Sequence, residues 1–72
     1  MAYYRRVLGE NVKAARDALD LSQEELALEI EIDRTYISGI ERGLRNPSLL
    51  SICRIAKALG VSAAQLVDGV RE

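Results

Sequence analysis

Eleven carboxylates and a single thiol are what this 72-residue chain offers for catalysis, because it contains no histidine. Without imidazole the commonest general base is missing, and neither a Ser–His–Asp nor a Cys–His arrangement can be assembled. Cys53 stands alone, so it can form no internal disulfide and no cysteine–histidine zinc site. The glycines at 9, 39, 43, 60 and 69 fall into no phosphate-binding fingerprint. No catalytic residue, metal or cofactor is expected, and a chain this short rarely encloses a substrate cleft as well as a core. A binding module, not an enzyme, is the expectation. The lone thiol, beside Ile52, reads as a small core filler in a reducing cytoplasm.

What the ionisable residues do provide is segregation. From Asp17 to Asp33 there are seven acids (Asp17, Asp20, Glu24, Glu25, Glu29, Glu31, Asp33) and no base. From Arg34 to Lys57 there are five bases (Arg34, Arg42, Arg45, Arg54, Lys57) against the single Glu41. The formal net charge of −1 therefore conceals a polarised chain.

The elements that must carry these charges are helical. Tyr4, Leu8, Val12, Ala15 and Leu19 recur at helical spacing, predicting a first helix over about Tyr3–Leu19 that Asp20 and Leu21 interrupt. Ser22 followed by Glu25 is a capping-box pattern that opens a second helix, with Leu26, Ala27 and Ile30 inward and an end near Glu29–Ile30. Glu31 and Ile32 make a tight connection. Asp33 caps a third helix whose Ile37 and Ile40 face the core, and Gly43 stops it. Residues Leu44 to Pro47 form a loop. Ile52, Ile55, Ala56 and Leu59 define a fourth helix ended by Gly60, and Ser62 caps a fifth over about 62–70. The expectation is an all-α single domain of five short helices over residues 1–72, with no strand, repeat or linker. With 49% hydrophobic residues in short runs, nothing reads as a membrane span or a secretory signal. Below about 70–80 residues a lone core is weak, so tight helix packing or pairing with another copy must supply the remainder.

The stretches Leu21-Ser-Gln-Glu-Glu-Leu-Ala27, Ile32-Asp-Arg-Thr-Tyr-Ile-Ser-Gly-Ile-Glu-Arg-Gly43, Arg45-Asn-Pro47 and Ile55-Ala-Lys-Ala-Leu-Gly-Val-Ser62, in this order, resemble the phage repressor/Cro-type helix-turn-helix regulators. The run Asp33–Gly43 with Arg45-Asn46 is similar to controller proteins of restriction–modification systems. The resemblance covers roughly residues 8–67 and implies a lambda-repressor-like fold with the helix-turn-helix formed by helices two and three. In this family the connecting turn usually carries glycine, and here Glu31 stands there. A non-glycine residue can adopt the left-handed conformation at about 1 kcal/mol. Asp20 likewise stands where many relatives have glycine.

The second helix of such a pair enters the major groove of double-stranded DNA with its N-terminal residues at the base edges. That role falls to the third helix, whose groove-facing set is Arg34, Thr35, Ser38 and Gly39. Arg34 can donate two parallel hydrogen bonds to guanine, and Thr35 can reach a base edge or a thymine methyl. Gly39 either lets the helix approach the bases closely or merely avoids a clash. Tyr36 either contacts DNA or covers the core edge. Gln23, Arg42, Arg45 and Asn46 are implied as backbone clamps; Gln23 has a solvated side chain on an exposed helix as the competing reading, and Ser48 and Ser51 have capping. Arg16 and Glu41 correspond to a structural ion pair in relatives.

One recognition helix reads too few base pairs to select a genomic site, so a homodimer on a palindromic operator is implied. Val61, Leu66, Val67 and Val70 around the fifth helix are the expected interface; the alternative is that Leu66 is core and the rest are ordinary surface. The acids Glu24, Glu25, Glu29 and Glu31 are either a solvated face or a contact for the sigma subunit of RNA polymerase. The preferred reading is a restriction–modification controller that activates and represses its own operon. The alternatives are a prophage repressor, an antitoxin, or a helical protein-interaction module without DNA binding.

Overall fold

A computed structural model describes residues 2–72, and among these the secondary structure is entirely helical: α1 (Tyr3–Ala18), α2 (Gln23–Glu29), α3 (Arg34–Glu41), α4 (Leu49–Leu59) and α5 (Ala63–Leu66). Four of the five starts are fixed by a side chain. Ser22 and Glu25 close both arms of a capping box on α2, at 3.0 and 2.8 Å. Asp33 accepts the Thr35 amide at 2.8 Å to open α3. Ser48 accepts from the Ser51 amide at α4. Ser62 and Gln65 form a second capping box on α5.

The first four helices all stop in the same way. The left-handed residues Asp20, Glu31, Gly43 and Gly60 (φ 55°, 57°, 75° and 70°) let the next amide fold back onto the last turn. The amides of Leu21, Ile32, Leu44 and Val61 bond the carbonyls of Arg16, Ala27, Gly39 and Ala56. Glu31 does adopt the conformation that glycine would adopt more cheaply.

Leu8, Val12, Leu26, Ala27, Ile37, Ile40, Ile55, Ala56, Leu59 and Leu66 form one buried cluster drawn from all five helices. α3 lies between α1 and α2, so the helix bearing Arg34 is held from two sides. Gly9 sets the first of these contacts. A β-carbon there would stand 2.4 Å from the carbonyl oxygen of Ile40 and 2.7 Å from that of Glu41, so no side chain fits where α1 meets the end of α3.

Two expectations need correcting. The fifth helix ends at Leu66 rather than continuing to about 70. Asn11 of α1 donates its amide to the carbonyls of Leu66 and Asp68 at 2.8 and 2.9 Å, taking up backbone acceptors that another helical turn would have used. Cys53 is exposed and fills no part of the core. The buried face of α4 carries Ile55, Ala56 and Leu59, and position 53 points away from it.

Candidate nucleic-acid interface

Arg34 is the first residue of α3 and Thr35 the second; both are exposed, because Ile37 and Ile40 take the inward face of this helix. Asp33 organises this end. Its Oδ1 accepts from the Thr35 amide at 2.8 Å and from the Thr35 hydroxyl at 2.6 Å. Hydrogen bonding from that hydroxyl and amide holds the Asp33 carboxyl below the usual carboxylate range. The Thr35 hydroxyl proton is thus already committed, leaving its methyl and its oxygen lone pairs to face outward.

Arg34, Thr35, Ser38, Gly39, Arg42, Leu44 and Arg45 line one open concavity of about 360 Å³. The four residues expected at base edges therefore share a surface with two of the expected clamps. Gly39 has a specific neighbour. A β-carbon there would lie 2.9 Å from Cγ of Arg45, so the loop arginine runs across the bare stretch of helix. Its guanidinium stands 5.6 Å from the centroid of the Tyr36 ring. Tyr36 is half-buried against the core and also serves as a shelf for Arg45, a role its residue type alone did not reveal.

The remaining candidates are placed less uniformly. Asn46 is exposed in the loop. Ser48 caps α4 and also donates its hydroxyl to Ser51 at 3.1 Å, so both serines are engaged with each other. Gln23 opens α2 and reaches the far end of α3, where its amide nitrogen donates to Glu41 Oε1 at 3.0 Å. Glu41 is the hub of that end. Arg16 Nε donates to its Oε2 at 2.7 Å and Nη2 to its Oε1 at 2.9 Å, while Nη1 donates to the Leu21 carbonyl at 2.6 Å. The Arg16 and Glu41 side chains are 10% and 3% exposed, so this two-point bond is made out of water. The hydrogen bond to Glu41 raises the Arg16 pKa above its already high ordinary value.

On the acidic side, Glu24, Glu25, Glu29 and Glu31 are all exposed. Glu25 is occupied by the Ser22 backbone amide, which also lowers its pKa. The expected interface around α5 is only partly available. Leu66 is 1% exposed and belongs to the protomer's own core, which corrects its assignment to a surface. Val61 and Val70 are half-buried against that core, leaving Val67 at 36%.

An arginine-led helix set across a second short helix through a tight four-residue connection decides the family when compared with known proteins. The helix-turn-helix family model (HTH_3) matches residues 12–66. The chain belongs to the helix-turn-helix family. It is 49% identical over 65 residues to the control protein C.BamHI of Bacillus amyloliquefaciens, covering 89% of this chain and 80% of that protein. The restriction–modification controller protein C.AhdI of Aeromonas hydrophila superposes with a TM-score of 0.83 at 40% identity, over 86% of this chain and 94% of that one. The controller C.Esp1396I, solved as a tetramer with its natural 35 base-pair operator, superposes at 0.84 with 34% identity, over 97% and 92%. The helix-turn-helix protein described here shares the fold of the two solved controllers. No helix among its described residues is long and apolar enough to cross a membrane.

Proposed function

We propose that the protein is a sequence-specific DNA-binding transcription regulator, the controller of a restriction–modification system, acting in the cytoplasm as a homodimer on a palindromic operator and both activating and repressing its own operon. The observation that carries this reading is the concavity that gathers Arg34, Thr35, Ser38, Gly39, Arg42 and Arg45 on the outer side of α3. A major groove about 12 Å wide admits one helix, and Arg34 with Thr35 leads it. The operator complex of C.Esp1396I supports double-stranded DNA as the partner here. The net negative charge is no obstacle, because the acids are concentrated in residues 17–33 and are screened beyond about 8–10 Å at physiological salt. Nothing in this scheme requires a catalytic step.

Arg34 supplies the two-point contact to a guanine, and the Thr35 methyl faces a thymine or the edge beside it. Arg42, Arg45 and Asn46 set register on the phosphates, with Gln23 joining them from α2 while Glu41 holds its amide. For activation, Glu24, Glu29 and Glu31 are the exposed acids free of a capping role, and a basic patch on the polymerase sigma subunit is their partner. Reversing these three to lysine should abolish activation and spare operator affinity; joint loss of activation and repression would remove the sigma contact from the scheme.

The deciding experiment is binding to the palindromic sequence upstream of the protein's own operon, measured across salt concentrations. Affinity falling steeply with salt and weakening by about 1–3 kcal/mol for Arg34→Ala, with selectivity relaxed at one base pair per half-site, is the expected result. A folded Arg34→Ala/Thr35→Ala variant that binds as tightly and selectively as the parent would overturn the assignment. Absence of any salt-dependent DNA binding would point instead to a protein-interaction module.

A further inference from the structure

Residues 33 to 35 sort donors from acceptors. Arg34 can only donate, and the Asp33 carboxylate, held low by its bonds from Thr35, can only accept at neutral pH. Both Thr35 donors end on one oxygen of that carboxylate, the amide at 2.8 Å and the hydroxyl at 2.6 Å from Oδ1. Among the described residues no hydrogen bond and no ion pair engages Oδ2. Asp33 is exposed, next to Arg34 at the leading end of α3.

Thr35 is therefore not the two-way group that its residue type suggests. With its proton committed, it offers a base edge a lone pair or a methyl, and it cannot donate to guanine O6 or N7, adenine N7 or thymine O4. Capping does not account for the charge beside it, because asparagine caps a helix as well as aspartate does. A carboxylate among phosphates opposes binding to every sequence alike, and only a donor on a base can offset it.

We propose that Asp33 determines specificity: its free Oδ2, with the Thr35 oxygen beside it, accepts from an exocyclic amino group on the base pair next to the guanine that Arg34 takes. The inference rests on the DNA-binding reading above and sharpens it. Two bases carry such a group in the major groove, adenine at N6 and cytosine at N4. The Thr35 methyl favours adenine, because the paired thymine supplies a methyl for it to pack on. Guanine or thymine in the same place would set O6 or O4 against the carboxylate, two acceptors with no proton between them, and leave Oδ2 without a partner in a closed interface.

The test uses the full chain and duplexes of the palindrome upstream of its own operon. At each adenine or cytosine of both half-sites in turn, the base is replaced by N6-methyladenine or N4-methylcytosine. Such a base keeps its Watson–Crick hydrogen and loses the one in the groove. Wild-type binding should weaken at least about fivefold at one position, beside the guanine that Arg34→Ala no longer selects, and the base found there tells adenine from cytosine. In Asp33→Asn the side-chain oxygen still accepts from Thr35, so a donating nitrogen replaces Oδ2. The preference at that position should turn to a base presenting O4 or O6, and affinity for unrelated duplex should tighten by about threefold or more. Circular dichroism checks folding, and should the variant fail to fold, the wild-type response to the methylated duplexes still decides. Wild-type binding indifferent to methylation beside the guanine, or a folded Asp33→Asn with the wild-type order of base preference, would overturn this role while Arg34→Ala keeps its own loss of selectivity. If neither variant alters selectivity, the reading of DNA by α3 falls as well.

Discussion

Arg45 lies across α3 because residue 39 is glycine: a β-carbon there would come within 2.9 Å of Arg45 Cγ. The arginine that follows α3 and the bare position within that helix form one unit, completed by the Tyr36 ring beneath the guanidinium. Gly39→Ala tests the unit. The obstacle is a flexible side chain, and alanine is up to about 1 kcal/mol better than glycine inside a helix, so thermal stability should hold or rise. Operator affinity should fall nonetheless, by about 1 kcal/mol or more as Arg45 is displaced, and Arg45→Ala should reproduce the loss with a salt slope shallower by about one. Melting curves and salt-dependent binding isotherms on the same samples separate the two effects.

The Arg16–Glu41 pair answers to a different rule. Glu41 is 3% exposed and accepts from both Arg16 and Gln23, so removing Arg16 strands a charge. Arg16→Met and Glu41→Gln should each cost about 3–5 kcal/mol in chemical denaturation. The double variant should cost less than the sum of the two. Operator binding will fail in both single variants through loss of the folded state, which denaturation midpoints reveal and a binding assay alone does not.

Glu31 and Asp20 occupy left-handed positions at φ 57° and 55°. Glu31→Gly and Asp20→Gly should each stabilise the protein by up to about 1 kcal/mol, raising Tm by about 4–8 °C in a domain this small. Gly60→Ala should do the opposite. Its β-carbon would meet nothing within 4 Å, so its cost isolates the backbone conformation from any clash. Differential scanning calorimetry of the three variants measures it directly.

Acid pH should weaken the fold in a defined direction. The Lys13 ammonium holds Asp17 low, the Ser22 amide holds Glu25 low, and the Thr35 hydroxyl holds Asp33 low. Carboxyls with lowered pKa values in the folded state bind fewer protons there than in the unfolded chain, so stability rises with pH through the carboxylate range and levels off above it. Tm should be flat near neutrality and fall once the pH drops below about 4. Asp33→Asn, which still caps α3, should make the fall shallower.

Much of the fold was legible because its signals are local. Ser22 with Glu25, Asp33 before α3, and Gly43 and Gly60 after their helices each satisfy orphan backbone groups within a few residues. Gln65, the answering half of the Ser62 box, follows the same three-residue spacing and could have been read with Ser22 and Glu25. What escaped depends on partners distant in sequence. Asn11 ends α5 from 55 residues away. Gly9 looks like a tolerated glycine until the carbonyls of Ile40 and Glu41 are set beside it. For Cys53 the information was present, since the spacing of Ile55, Ala56 and Leu59 already turns position 53 outward. At the candidate interface, Arg34, Thr35, Ser38 and Gly39 follow from the phase of Ile37 and Ile40, whereas the shelf that Tyr36 makes for Arg45 is a product of the loop's path.

The near-contact at Gly9 welds the longest helix to the exit of the one that carries Arg34. Even a methyl at this spot is a wedge, prising α3 off its mount at the point where Glu41 is anchored. The seating of α3 is therefore governed from a place outside the Arg34 concavity, and position 9 has a vocabulary of one residue.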